Sequence, residues 1–256
     1  SQTKTFIFLD DVIANANMSA TIKNNAAYAP RLRPGLLALP TISLCVPGQP
    51  EYWEQPGSVE VIWPDGANGV QVNCGVARFG NAWTKFAKRS IRIKCRADYG
   101  ASKLSAPLFN GFDRGVLAKT SFDEIELRSG SQDMVERGFY MAGRFVEDSL
   151  LDMGSLNPHG RFVHVYLNGV YWGQYDAREP MVEHFLADYL GGAAADYVAV
   201  RGNDNVGDNF ALGTPEPPNR ESWDAVRAYR TNYNLVRAYL DVPHLIDFLL
   251  LWNYGN

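Results

Sequence analysis

Apolar and polar positions alternate with a period of two over residues 161–167, where Val163, Val165 and Leu167 interleave with Phe162, His164 and Tyr166. That pattern predicts a strand with two differently lined faces. Asn168-Gly169 follows, and both residue types accept the left-handed backbone that a two-residue hairpin turn needs. The chain returns through VYWGQYDA, rich in β-branched and aromatic residues, as a second strand. After Arg178-Glu179, Pro180 fits the first turn of a helix. Met181, Val182, Phe185, Leu186, Tyr189 and Leu190 then recur at helical spacing until Gly191-Gly192 ends the run. The best-defined stretch of the chain is thus a hairpin feeding a helix, with Glu179 at the junction.

The same reading extends outward. TKTFIFL (3–9) predicts a strand closed by Asp10-Asp11, followed by a loop of Asn, Ala and Pro. In PGLLALPTISLCV two prolines bracket short apolar runs and forbid a long helix. Residues 58–64 and 70–80 predict a second hairpin, 88–96 a strand, 99–112 a loop, and 123–131 a short strand carrying Arg128. From Asp133 to Met153 the spacing predicts one interrupted helix or two short ones, weakened at Gly138 and Gly143. DYVAV (196–200) predicts a strand running into a loop with Asp204 and Asp208, whose spacing lacks the later glutamate of a calcium loop. A Pro-rich linker (215–221) leads to a helix from Ser222 to Leu240, and Asp241 caps a last apolar helix. Antiparallel hairpins followed by helices, without an internal repeat, define an α+β fold.

Charge sharpens one of these elements. Along 88–96 every second residue is Lys88, Ser90, Arg92, Lys94 and Arg96, with Ile91, Ile93 and Cys95 among the alternates, so one face of the strand is strongly basic. The face is either the solvated side of an antiparallel sheet or a surface turned toward phosphate. The chain as a whole, 256 residues with net charge −4, offers no field for nucleic acid. Its longest apolar run, at 248–252, is far short of the roughly 18–20 residues that span a bilayer.

Common chemistries are missing from the pattern. The histidines at 159, 164, 184 and 244 show no metal-ligand spacing. There is no nucleophile elbow, no P-loop and no dinucleotide fingerprint. Asp10-Asp11 is a weak metal candidate. Cys45, Cys74 and Cys95 form no CxxC pair and allow at most one bridge within the chain; they read mostly as buried small hydrophobes.

The order KRSIRIK (88–94), YG (99–100), ELRSGSQD (126–133), a helix, VYLNGVYWGQYDAREP (165–180) and a helix ending in GG resembles the CotH family of spore-coat protein kinases. The LNG-x-Y-x-G-x-Y-x-x-x-E core carries most of the likeness. The resemblance implies an atypical, kinase-like two-lobe plan, with residues 1–57 an N-terminal extension and 58–256 the kinase domain. It also implies an enzyme that uses ATP with Mg²⁺ or Mn²⁺ to phosphorylate Ser or Thr of secreted, surface or coat proteins. Such transfer depends on positioning and charge neutralisation. By the same resemblance Lys88 contacts phosphate, Glu179 orients Lys88 or helps to hold metal, and Arg128 is a second anion contact. The family's catalytic carboxylates are expected beyond Asn256, so the domain reads as truncated at its C-terminus, with no catalytic residue expected within 1–256. A secreted or coat location is implied too, and Asn17-Met18-Ser19 is a possible glycan acceptor in that setting. The competing expectations are a non-catalytic structural or binding module on the same fold and, third, carbohydrate binding through exposed aromatics.

Overall fold

The computed structural model describes residues 3–67, 69–80, 86–112, 114–136, 138–202, 210–212 and 221–254. The chain opens with α1 (Leu9–Ala14), α2 (Ala20–Lys23) and α3 (Ala29–Leu37). Strands β1 (Thr41–Cys45), β2 (Gln55–Ile62), β3 (Val70–Phe79), β4 (Ser90–Lys94), β5 (Leu104–Ser105), β6 (Ser121–Phe122) and β7 (Glu124–Arg128) follow. Then come α4 (Ser131–Glu136), α5 (Ala142–Asp152), β8 (Gly160–Leu167), β9 (Val170–Arg178) and α6 (Glu183–Leu190). The described chain finishes with β10 (Val200–Gly202), β11 (Phe210–Leu212), α7 (Glu221–Tyr229), α8 (Tyr233–Val236) and α9 (Val242–Tyr254).

The chain divides into two compact units, 1–112 with 119–141 and 160–179, and 113–118 with 142–159 and 180–256. The first is built on a closed barrel in the order β1-β2-β3-β4-β7-β9-β8. β1 closes it by pairing antiparallel with β2 and parallel with β8. Side chains alternate across each strand, and the inward set (Ile42, Leu44, Val59, Val61, Val76, Ile91, Ile93, Ile125, Leu127, Val163, Val165 and Tyr175) is at most 1% exposed. These are mostly β-branched residues, which pack well on a pleated surface and are stiff enough to fix it.

The second unit is helical apart from the β10–β11 pair. His159, fully buried there, donates from Nε2 to the Val116 carbonyl (2.7 Å) and accepts at Nδ1 from the Tyr189 hydroxyl (3.1 Å). It is a structural imidazole.

The α+β class is what the sequence pattern predicts, and both predicted hairpins and the paired helices α4 and α5 form. The closed barrel is not in itself a kinase-specific two-lobe plan. Several expectations are corrected. Residues 3–8 are not a strand: Phe6 and Phe8 are 76% and 68% exposed, and the Thr5 N–H donates to the Glu60 carboxylate (2.7 Å) instead of entering a ladder. A closed barrel leaves no edge for an extra strand to join. Asp10 and Asp11 lie in the first turn of α1, where the helix dipole favours acids, and Asp10 pairs with Arg33. The extension expected over 1–57 supplies all of β1 and the start of β2 to the barrel.

Pro180 lies outside α6, because Val182 is extended at the N-cap and its N–H bonds the Pro180 carbonyl (3.0 Å). The long helix expected from Ser222 breaks into α7 and α8 at Asn232, a residue type that prefers caps to helix interiors. The strand expected at 196–200 begins only at Val200, after a 3₁₀ turn over Ala194–Asp196. Asp204, Asp208 and most of the 215–221 linker lie outside the described residues. No helix among those described is long and apolar enough to cross a membrane.

Candidate functional site

Everything in the candidate site belongs to the barrel unit. Lys88 precedes β4 by two residues, and its carbonyl accepts from the Ser131 hydroxyl at the start of α4 (2.9 Å). The Ser129 N–H donates to Ser90 Oγ (3.0 Å), so the β7–α4 corner is latched to the start of β4 at two points. On β9, the register steps from Val165↔Gly173 to Tyr166↔Tyr171, leaving Trp172 as the extra residue of a bulge. Gly173 takes φ +111, a conformation that L side chains rarely adopt, and a Cβ built there would lie 3.6 Å from Lys88 Cε. The bulge thereby turns bare backbone toward the lysine.

The Lys88 ammonium donates to the Gln174 carbonyl and sits over the rings of Tyr175 (4.3 Å to the centroid) and Tyr140 (5.3 Å). The Tyr140 hydroxyl donates to the same Gln174 carbonyl (2.7 Å), and the Tyr175 hydroxyl to the Arg89 carbonyl (2.9 Å). Burial lowers the Lys88 pKa to about 8. No carboxylate among the described residues offsets this, so the amine is a desolvated cation held by ring faces and one carbonyl. Arg128, the last residue of β7, stands opposite Asp176 and pairs with the buried Asp133 of α4 (2.9 Å). Burial first, and then the charge of Asp176, raise the Tyr140 phenol; Arg128 and Asp133 also act on it. Lys88 thus sits over the Tyr140 ring, and the charge of Arg128 is felt there too.

Glu179 does not join them. It is 3% exposed, one residue beyond β9. Five positions separate it from Gln174, the residue whose carbonyl holds the Lys88 ammonium, which is roughly 16 Å of extended chain. The basic strand also resolves into pairs rather than an anion surface. Arg92 meets Glu126, which Arg178 also reaches (3.1 Å), while Lys94 and Arg96 reach Glu54 (3.7 and 3.1 Å). For Glu126, 5% exposed, burial raises the pKa, but Arg178 and Arg92 outweigh it and leave the carboxyl lowered. Of the alternating cations, Lys88 is the one without an acidic partner among the described residues.

Sequence reading found Lys88 and Arg128 but not Tyr140, Asp133 or Asp176, which complete the cluster. Asp176 lies two places from Gln174 within the quoted YDAREP segment, and that period of two was the available signal. Tyr140 sits in the weak stretch between α4 and α5, where no periodicity points at the barrel.

The cluster that the barrel builds is thus a buried cation framed by tyrosines, with an arginine–aspartate pair on the same sheet. The family model described as CotH kinase protein matches residues 76–254, well over half of the chain, and takes in the whole cluster. The chain belongs to the CotH family. No curated protein matches it.

Proposed function

We propose that the chain is the nucleotide-binding part of a CotH-type atypical protein kinase, which moves the γ-phosphate of ATP to Ser or Thr of coat or secreted surface proteins. The observation that carries this reading is Lys88, a desolvated ammonium with no carboxylate partner among the described residues. An anion is the ligand such a group lacks: it restores the charge balance and lifts the pKa back toward the usual range. Arg128 serves as the second anion contact, with Asp133 holding its guanidinium in line. Glu179, buried beyond β9, acts apart from Lys88. On this reading the barrel unit and the helical unit are the two lobes, and the kinase domain over 58–256 draws β1 from the extension.

Bound ATP carries the transferable phosphoryl group, and Mg²⁺ or Mn²⁺ offsets its charge. Among the described residues no three His, Cys, Asp or Glu converge. Family membership supports association with a spore coat.

The paired state of Arg92, Lys94 and Arg96 favours a second reading, in which the same fold is a non-catalytic coat or surface module. Titration calorimetry of the chain with MnATP separates the two. The kinase reading expects binding heat that Lys88→Ala reduces at least tenfold in affinity, about 1.4 kcal/mol, with an unchanged circular dichroism spectrum. Absence of heat with the wild-type chain sinks the nucleotide claim, and an unaltered affinity in Lys88→Ala removes Lys88 from the site.

A further inference from the structure

Carried one rung past its last pair, the register of β3 and β4 sets two thiols against each other, both free in this structure. Gly75 stands opposite Lys94 and Val76 opposite Ile93, so the next rung sets Cys74 against Cys95. Val76 and Ile93 point into the barrel, both 0% exposed, and the cysteines two positions on share that face at 0% and 5%. The Cys95 N–H donates to the Asp123 carbonyl (2.7 Å), on the side of β7. In an extended residue the N–H and C=O point to one side, so Cys95 turns no backbone donor toward β3. The rung is therefore a non-hydrogen-bonded antiparallel pair, with Cα atoms about 4.5 Å apart. That is within the roughly 4.4–6.8 Å that a disulfide spans. Burial raises the Cys74 thiol most, and the charge of Cys95 raises it further, so the two sulfurs are within interaction range. Cys45 stands opposite Ser58, and Ser58 opposite Asn73, which places it two strand spacings from β3. At roughly 10 Å it is out of reach.

We propose that Cys74 and Cys95 form a cross-strand disulfide, made as the chain folds in an oxidising compartment. The oxidant is a small-molecule or protein disulfide. One cysteine thiolate attacks it, forming a mixed disulfide and expelling one thiolate; the second cysteine thiolate then attacks the protein sulfur, forming the Cys74–Cys95 bond and expelling the other. Two cysteines are oxidised, one disulfide is reduced to two thiols, and the two cysteine protons end on those thiols.

Timing follows from burial. In the folded barrel Cys95 is pushed up to about 11 and Cys74 higher, which leaves little thiolate at neutral pH. In the unfolded chain both sit near an ordinary 8.5 or so, and exchange proceeds. The bridge closes residues 75–94, the segment that contains Lys88, at the end of the hairpin away from its turn. It stands whether or not that lysine binds nucleotide.

The test is to refold the reduced, denatured chain in a glutathione redox buffer, quench with acid, alkylate under denaturing conditions and map the peptides. The expected result is alkylation of Cys45 alone, together with a Cys74–Cys95 peptide pair lighter by two hydrogens, and a urea midpoint above that of the reduced wild-type chain. Three alkylated cysteines after oxidative refolding, a bridge that includes Cys45, or a bridged chain no more resistant to urea than the reduced one overturns the proposal. Comparison with the reduced wild type needs no cysteine variant to fold.

Discussion

Lys88 is a destabilising residue at neutral pH, and that is what makes it useful. Its folded pKa of about 8 lies below the ordinary value of 10.5, so between those two pH values the unfolded chain binds the extra proton. Stability therefore rises with pH across that window, and below pH 8 the full penalty of a buried charge is present. The difference corresponds to something on the order of 3 kcal/mol. Lys88→Met, which keeps the stem and removes the charge, is expected to be more stable than wild type at pH 7 by up to that amount. The gain shrinks toward zero as pH approaches 10.5. Urea midpoints of both proteins across the range provide the check, and a parallel offset at every pH would show that the amine is not desolvated. A phosphate at the site raises the pKa instead, so anion affinity should fall as pH rises through about 8.

At the scale of elements, the β8–β9 hairpin was almost fully written in the sequence. Asn168 and Gly169 adopt φ 51° and 80°, as a two-residue turn requires. The sequence did not show that the Asn168 amide also ties the turn to the chain beyond β1, accepting from the Val46 N–H (2.9 Å) and donating to the Gly48 carbonyl (2.8 Å). Asn168→Ala loses both bonds and strains the backbone, for an expected cost of about 2–3 kcal/mol. Asn168→Gly keeps the conformation and is expected to lose about half as much. Equal urea midpoints for the two variants would assign the whole effect to the side chain.

The contrast marks what pattern can carry. Alternation reports which face of a strand is buried, and it placed β3, β4, β8 and β9 correctly. It does not report whether a partner edge exists, which is why 3–9 reads as a strand in the sequence and is not one in the fold. The basic face of β4 was legible as a charge pattern. The glutamates that neutralise it come from β7 and from Glu54 ahead of β2, and those neighbours become visible only once strand order is known.

Strand order also decides where the molecule can be cut. The family match begins at residue 76 and the resemblance implies an extension up to 57, yet the barrel is shut by β1. A chain beginning at residue 58 loses Ile42 and Leu44, both fully buried, and leaves facing edges of β2 and β8 with open backbone donors and acceptors. Two buried aliphatic side chains contribute about 3–6 kcal/mol by burial alone, and unpaired edges invite association between copies. That loss is a large share of the 5–15 kcal/mol or so that holds a typical domain folded. A chain lacking 1–57 is thus expected to aggregate or to lose its near-ultraviolet dichroism, while one lacking only 1–19, which leaves β1 intact, keeps it. Size-exclusion chromatography and dichroism of both read the outcome. A monomeric, native-like chain from residue 58 would mean that seven strands are more than the barrel needs, and that the residues ahead of β2 serve the surface instead of the core.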